Sequence, residues 1–155
     1  MKHISFLSML FILAFSLNAQ QTRPVYAGLS NEEHLSFIGM MIPDLIQRFG
    51  PPAAVAVERG VEVWQDDVVF QYSGADFYIY KDRVWQVKLT STHGISNGDR
   101  KAVVLLTFGN RAVDFGDYTL VPIGGRNWPL TLRVNFNNVN NTELVSAIFI
   151  YRPDY

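Results

Sequence analysis

A chain of 155 residues with 48% apolar side chains can bury the core of one compact domain, and without cysteine it holds neither disulfides nor a thiolate metal site. Its 13 basic and 14 acidic side chains leave a formal net charge of −1, which excludes the broad positive field that draws proteins to nucleic acid or anionic membranes. Aromatic residues make up 14% of the chain, more than such a core needs, so some are expected on a surface.

In chain order, Lys2 and His3 precede an apolar run from Ile4 to Leu17, which ends in Asn18, Ala19 and Gln20. This is the pattern of a secretory signal peptide over residues 1–19, with cleavage expected after Ala19. The run falls short of the roughly 20 residues a membrane-spanning helix needs, and no cysteine follows to carry a lipid anchor. No stable membrane insertion is therefore expected after cleavage. Without Lys2, the remaining 136 residues hold 14 acidic and 12 basic side chains, and the protein is expected in the periplasm or outside the cell.

Ser30 and Glu33 stand at capping-box spacing and predict a short helix. "GMMIPDLIQRFGPP" then places Ile42, Leu45, Ile46 and Phe49 at helical spacing, with Pro43 in the first turn and Gly50 ahead of two prolines as the stop. Strands are expected at Val61–Gln65, Asp67–Ser73, Asp76–Tyr80 and Val84–Ser91, where apolar alternation and β-branched or aromatic runs are separated by turn residues. A second helix is predicted in "GDRKAVVLLTFG", Gly98 to Gly109, with Asp99 as its N-cap. One glycine followed by an aspartate does not make a phosphate loop, which needs several converging N–H groups. Strands return in "AVDFG", "YTLVPIG", "LTLRVNF" and "ELVSAIFIYR", with the turn "NNVNNT" (Asn137 to Thr142) between the last two.

The two helical stretches align at an offset of 59, Gly39 on Gly98, Phe49 on Phe108 and Gly50 on Gly109, and "VWQVKL" lies over "LVSAIF" at 60. The expected architecture is α+β: two tandem helix-plus-antiparallel-meander repeats, residues 20–92 and 93–155, forming one unit with the helices packed on one face of the sheet.

A helix ending "LIQRFGPP" (Leu45 to Pro52), a strand carrying Trp64 and the hairpin "FYIYKDRVWQV" resemble the SmpA/OmlA small lipoprotein domain, also called BamE. A tandem pair of such units resembles the β-lactamase inhibitory protein fold. The resemblance implies a noncatalytic protein that binds other proteins through a sheet face or its loops. The chain lacks the lipidated cysteine of the first family and the disulfides of the second.

In the hairpin Phe77 to Leu89, strand alternation sets Tyr78 and Tyr80 opposite Phe77 and Ile79. With three loop residues, Tyr78, Tyr80, Gln86 and Lys88 share an outer face suited to protein contact. Gly124 and Gly125 precede Arg126 and Trp128, a second candidate binding pair, while Trp64 is expected in the core. His34 and His93 lie outside any metal-ligand spacing, and His93, beside Ser91 and Thr92, reads as an exposed loop histidine. Asp66, Asp67 and Asp76 read as turn charges rather than calcium ligands, and Asn140, in a formal N-x-T, as a hairpin tip.

No catalytic, cofactor or metal residues are assigned. The expected function is that of an exported, noncatalytic protein-binding module, of inhibitor or envelope-assembly accessory type, with another protein as partner and no nucleic acid. The alternative is a small-ligand carrier or enzyme built on an NTF2-like cone of curved sheet, in which polar side chains converge inside one cavity.

Overall fold

The computed structural model describes residues 29–59, 66–125 and 127–154. Ser30 opens α1 (Asn31–Leu35) through a reciprocal capping box, Glu33 N donating to Ser30 Oγ at 3.3 Å and Ser30 N to Glu33 Oε2 at 2.9 Å. Pro43 sits in the first turn of α2 (Ile42–Phe49), and Gly50, at φ 79°, ends it. There follow β1 (Ala54–Glu58), β2 (Asp67–Tyr72), β3 (Ala75–Tyr80) and β4 (Arg83–Leu89). A small hairpin of β5 (Ser91–Thr92) and β6 (Ile95–Ser96) precedes α3 (Lys101–Phe108) and the 3-10 turn Gly109–Arg111. The chain ends in β7 (Val113–Asp114), β8 (Tyr118–Ile123), β9 (Leu130–Val139) and β10 (Thr142–Tyr151). The strand expected at Val61–Gln65 and the signal peptide lie outside the described residues, whereas β1, in "AVAVE", was not anticipated.

Strands β1 to β4 and β7 to β10 form one eight-stranded sheet in the order β1-β2-β3-β4-β10-β9-β8-β7, antiparallel at every pairing. This overturns the expected α+β arrangement of two tandem helix-plus-meander repeats. The described protein is mostly one antiparallel sheet, with three short α-helices as a minor part. Strand β4 pairs directly with β10, Leu89 facing Ile148 and Val87 facing Ile150, so the meanders merge across this seam. One buried cluster then takes residues from the whole chain, including Phe37, Leu45, Phe77, Val104, Leu132 and Ile148.

The aligned glycines do share positive φ, 89° at Gly39 and 88° at Gly98, but the helices after them differ in character. Helix α2 is amphipathic and buries Leu45, whereas α3 is apolar nearly all round and leaves Leu106 84% exposed. Arg100 rather than Asp99 occupies the N-cap position of α3 and makes no side-chain cap bond. Asp99 instead closes the preceding turn, its carboxylate accepting from Ser96 N at 2.7 Å while its carbonyl accepts from Val145 N.

Backbone hydrogen bonds hold the helix entrances to the sheet. Gly39 N donates to Val84 O, Val84 N to Met40 O and Ile42 N to Asp82 O, while Gly98 N donates to Val145 O. At Gly39 the constraint is double. The φ of 89° belongs to the left-handed region, and a Cβ there would lie 2.5 Å from the Trp128 ring. Gly39→Ala is expected to cost about 2 kcal/mol in urea unfolding from backbone strain and overpacking. Gly124→Ala, at a site with no atom within 4 Å of the added Cβ, should stay within about 0.5 kcal/mol of wild type.

Candidate functional site

The register places the side chains of cross-strand partners on common faces. On the inner face, Phe70, Phe77, Val87, Ile150, Leu132 and Val121 run in one row beneath the helices. The outer face carries the row Val113, Leu120, Arg133, Phe149, Lys88, Asp76, Gln71 and Ala54, which crosses all eight strands. Beside it runs a second row through Pro122, Thr131, Tyr151, Gln86, Tyr78 and Val69.

Tyr78, Gln86 and Lys88 therefore share the outer face, by a route the sequence did not disclose. The β3–β4 turn has two residues, not three: Lys81 and Asp82 both take positive φ, 47° and 63°, between Tyr80 and Arg83. A bulge at Trp85 then restores the register, so that Tyr78 pairs with Gln86. Tyr78 itself is only 5% exposed and offers almost no contact area. Burial, reinforced by a hydrogen bond with Glu58, pushes its hydroxyl far above the ordinary tyrosine range and keeps it protonated. Tyr80 is exposed at the hairpin end, with Lys81 Nζ 5.0 Å from its ring centroid.

The two ends of the outer face differ in charge. Toward β1 and β2 it is acidic: Asp67 accepts from Trp85 Nε1 at 3.0 Å, Asp76 pairs with Lys88 at 3.6 Å, and Glu58 lies against Tyr78. Burial raises the Asp67 carboxyl above its usual range, opposed by the Trp85 bond. Toward β8, Arg133 lies 4.2 Å over the Tyr118 ring and donates through Nε to Asn135, and Phe115 stacks on Tyr118 with centroids 4.9 Å apart. Phe115 and Val113 are 54% and 51% exposed. Arg133, Tyr118, Phe149 and Tyr151 were not singled out from the sequence. The alternation in "AIFIY", with Ile148 and Ile150 turned inward, is the signal that finds two of them.

Trp128 lies in the β8–β9 loop and reaches the β3–β4 hairpin through Gly39, whose N–H donates to Val84 O and whose carbonyl accepts from Arg83 Nη1. It is half-buried against the core, with its ring on Gly39 and the Arg152 guanidinium 4.6 Å away. It helps to wall a groove of about 510 Å³ between α1 and the loop, floored by Leu35, Ile38 and Leu130 and edged by Glu32 and Asn127. Arg126 and Trp64 lie outside the described residues.

The histidines meet, which the sequence did not show. His34 Nδ1 lies 2.8 Å from Thr92 Oγ1, and Thr92 Oγ1 lies 2.9 Å from His93 Nδ1. A hydroxyl has one proton to donate, so at least one ring must carry its proton on Nδ1 and donate to the oxygen. Thr92 and His34 are 3% and 4% exposed, which shields the hydroxyl from any substrate. His93 is half-buried rather than an exposed loop residue, takes φ 51° and donates its backbone N–H to Asn31 Oδ1. Among the described residues, no group of three or more His, Asp or Glu side chains is placed to hold a metal ion, and no helix is long and apolar enough to cross a membrane.

Comparison with protein-family models gives no match, and comparison with curated proteins gives none either. Among solved structures, the chain is similar to an extracellular protein containing a SCP domain from Bacillus anthracis str. Ames, with 12% identity and a TM-score of 0.48. The likeness covers 89% of this chain and 48% of that one, so the chain spans about half its length.

Burial holds the His93 ring below the ordinary histidine range, and the nearby charges of His34 and Arg111 act in the same direction. The unfolded chain thus takes up this proton first as pH falls. Stability from His93 is fully present above the unfolded value of about 6.5 and is lost as pH drops toward the depressed folded value. The urea midpoint should fall between about pH 7 and about pH 5. His93→Asn, which tolerates the same positive φ, should flatten that dependence.

Proposed function

We propose that this is an exported, noncatalytic protein-binding module whose contact surface is the outer sheet face over β8, β9, β10 and β4. The carrying observation is the group of Tyr118, Arg133, Phe149 and Tyr151 on neighbouring outer-face rows, Arg133 paired directly with Phe149, on strands whose opposite face is packed. Strands hold these side chains at fixed spacing, so little entropy remains to be lost on binding. Tyr and Arg are the side chains that concentrate binding energy at protein contacts. Arg133 makes no ion pair among the described residues, which suits a partner that brings a carboxylate. The N-terminal pattern of Lys2, an apolar run and Ala19 supports export. The resemblance of "LIQRFGPP" and "FYIYKDRVWQV" to SmpA/OmlA domains supports a noncatalytic role. On the inner face, where a carrier needs open space, Phe37, Phe77, Val87 and Leu132 pack together, each 0% exposed.

The test is cross-linking capture from the source organism's envelope and secreted fractions, with Arg133→Glu/Phe149→Ala and Val55→Ser variants in parallel. A partner retained by wild type and by Val55→Ser, which alters the inner face, but reduced at least about tenfold by the double variant supports the proposal. Equal capture by all three overturns the assignment of the face.

A further inference from the structure

The groove between α1 and the β8–β9 loop has a composition distinct from the sheet face. At about 510 Å³ it falls within the size range of small-ligand sites. Its floor is aliphatic, from Leu35, Ile38 and Leu130, and its wall is the Trp128 indole. Glu32 is the one ionisable side chain among the described lining residues. We propose that this groove binds a lysine side chain of a peptide or protein, the four-carbon stem lying on the apolar floor and the ammonium reaching Glu32.

Three observations support that occupant. The neighbouring carboxylates of α1 have separate roles. Glu33 is committed to Ser30 in the capping box and to Arg48 at 3.5 Å, and its group is held below the ordinary carboxylate range by the Ser30 bonds. Glu32 forms no ion pair among the described residues and stands at the rim. Second, the wall is preorganised: Trp128 is fixed by the close approach of Gly39 and by Arg152, itself paired to Asp154 at 2.6 Å. Third, acceptors are available for the three N–H bonds of an ammonium. The Ser36 hydroxyl donates its own proton to Glu33 O at 2.6 Å, leaving its lone pairs toward a donor, and Asn127 adds an amide oxygen at the edge. An anionic group meets Glu32 and is repelled, and a purely aliphatic one leaves these acceptors unmatched.

The test uses NMR of the protein, expressed with its own leader and purified as the exporting host releases it. The Trp128 indole N–H is assigned by comparison with Trp128→Phe. The probes are Nα-acetyl-lysine N-methylamide and its norleucine analogue, which has the same chain without the ammonium. The lysine probe is expected to shift the Trp128 indole and the Ser36 and Gly125 amides in a saturable way. Glu32→Gln, which leaves the capping box and the urea midpoint intact, should weaken the lysine probe about fivefold. No saturable shift with lysine overturns the proposal, as does equal response to norleucine or lysine binding unchanged in Glu32→Gln. The outcome is independent of Arg133 and Phe149, so failure here leaves the sheet-face reading standing.

Discussion

The pairing of β4 with β10 is the constraint from which the rest of the architecture follows. Four consecutive partners cross it: Leu89 with Ile148, Lys88 with Phe149, Val87 with Ile150 and Gln86 with Tyr151. The four aliphatic side chains on its inner side are at most 1% exposed, and burial of each contributes about 1.5–3 kcal/mol. Without this seam there are two four-stranded meanders, each with an internal edge and half of a core. With it, both edges are closed and one hydrophobic cluster extends beneath all three helices.

The seam also determines which loops share an end of the molecule. Because β4 and β10 are antiparallel, Val84 and Arg152 lie at the same end, where Arg152 N donates to Trp85 O and Val84 N to Met40 O. The α1–α2 junction, the β8–β9 loop and the chain end meet there, with Trp128 between Gly39 and Arg152 contacts. The groove is thus a by-product of sheet topology, made of segments about ninety residues apart in the chain. Toward the other end, the β5–β6 hairpin reaches α1 through Thr92 and His34, so one short helix is tied down near both of its ends.

The asymmetry of the two faces carries the functional reading. From β3 to β9 the inward residues are consumed by packing, while Val55, Val57 and Val68 at the β1–β2 edge stay exposed. The outward residues over β8 to β10 have no such duty, yet aromatic and arginine side chains stand there in register. Tyr78 marks the limit of this surface. It is on the same face but enclosed, with its ring edge-on to the half-buried Phe149 at 6.3 Å, which it supports.

Local signals in the sequence determined the elements. Capping at Ser30 and Glu33, the Pro43 start and Gly50 stop of α2, and the alternation of most strands are written within a few neighbouring residues, because caps, turns and pleats are short-range physics. The same locality left the hairpin parity open and produced one misreading. A two-residue turn at Lys81 and Asp82 followed by a bulge at Trp85 gives the face that a three-residue loop gives, and a regular spacing of glycines mimicked tandem repeats. Only tertiary structure decided that the strands form one sheet and that Thr92 unites His34 with His93. The same holds for the shared groove of Glu32 and Trp128 and for the common row of Arg133, Phe149 and Lys88. These contacts join residues far apart in the chain, and their formation depends on which strand edges pair, a choice made by burying the whole core at once.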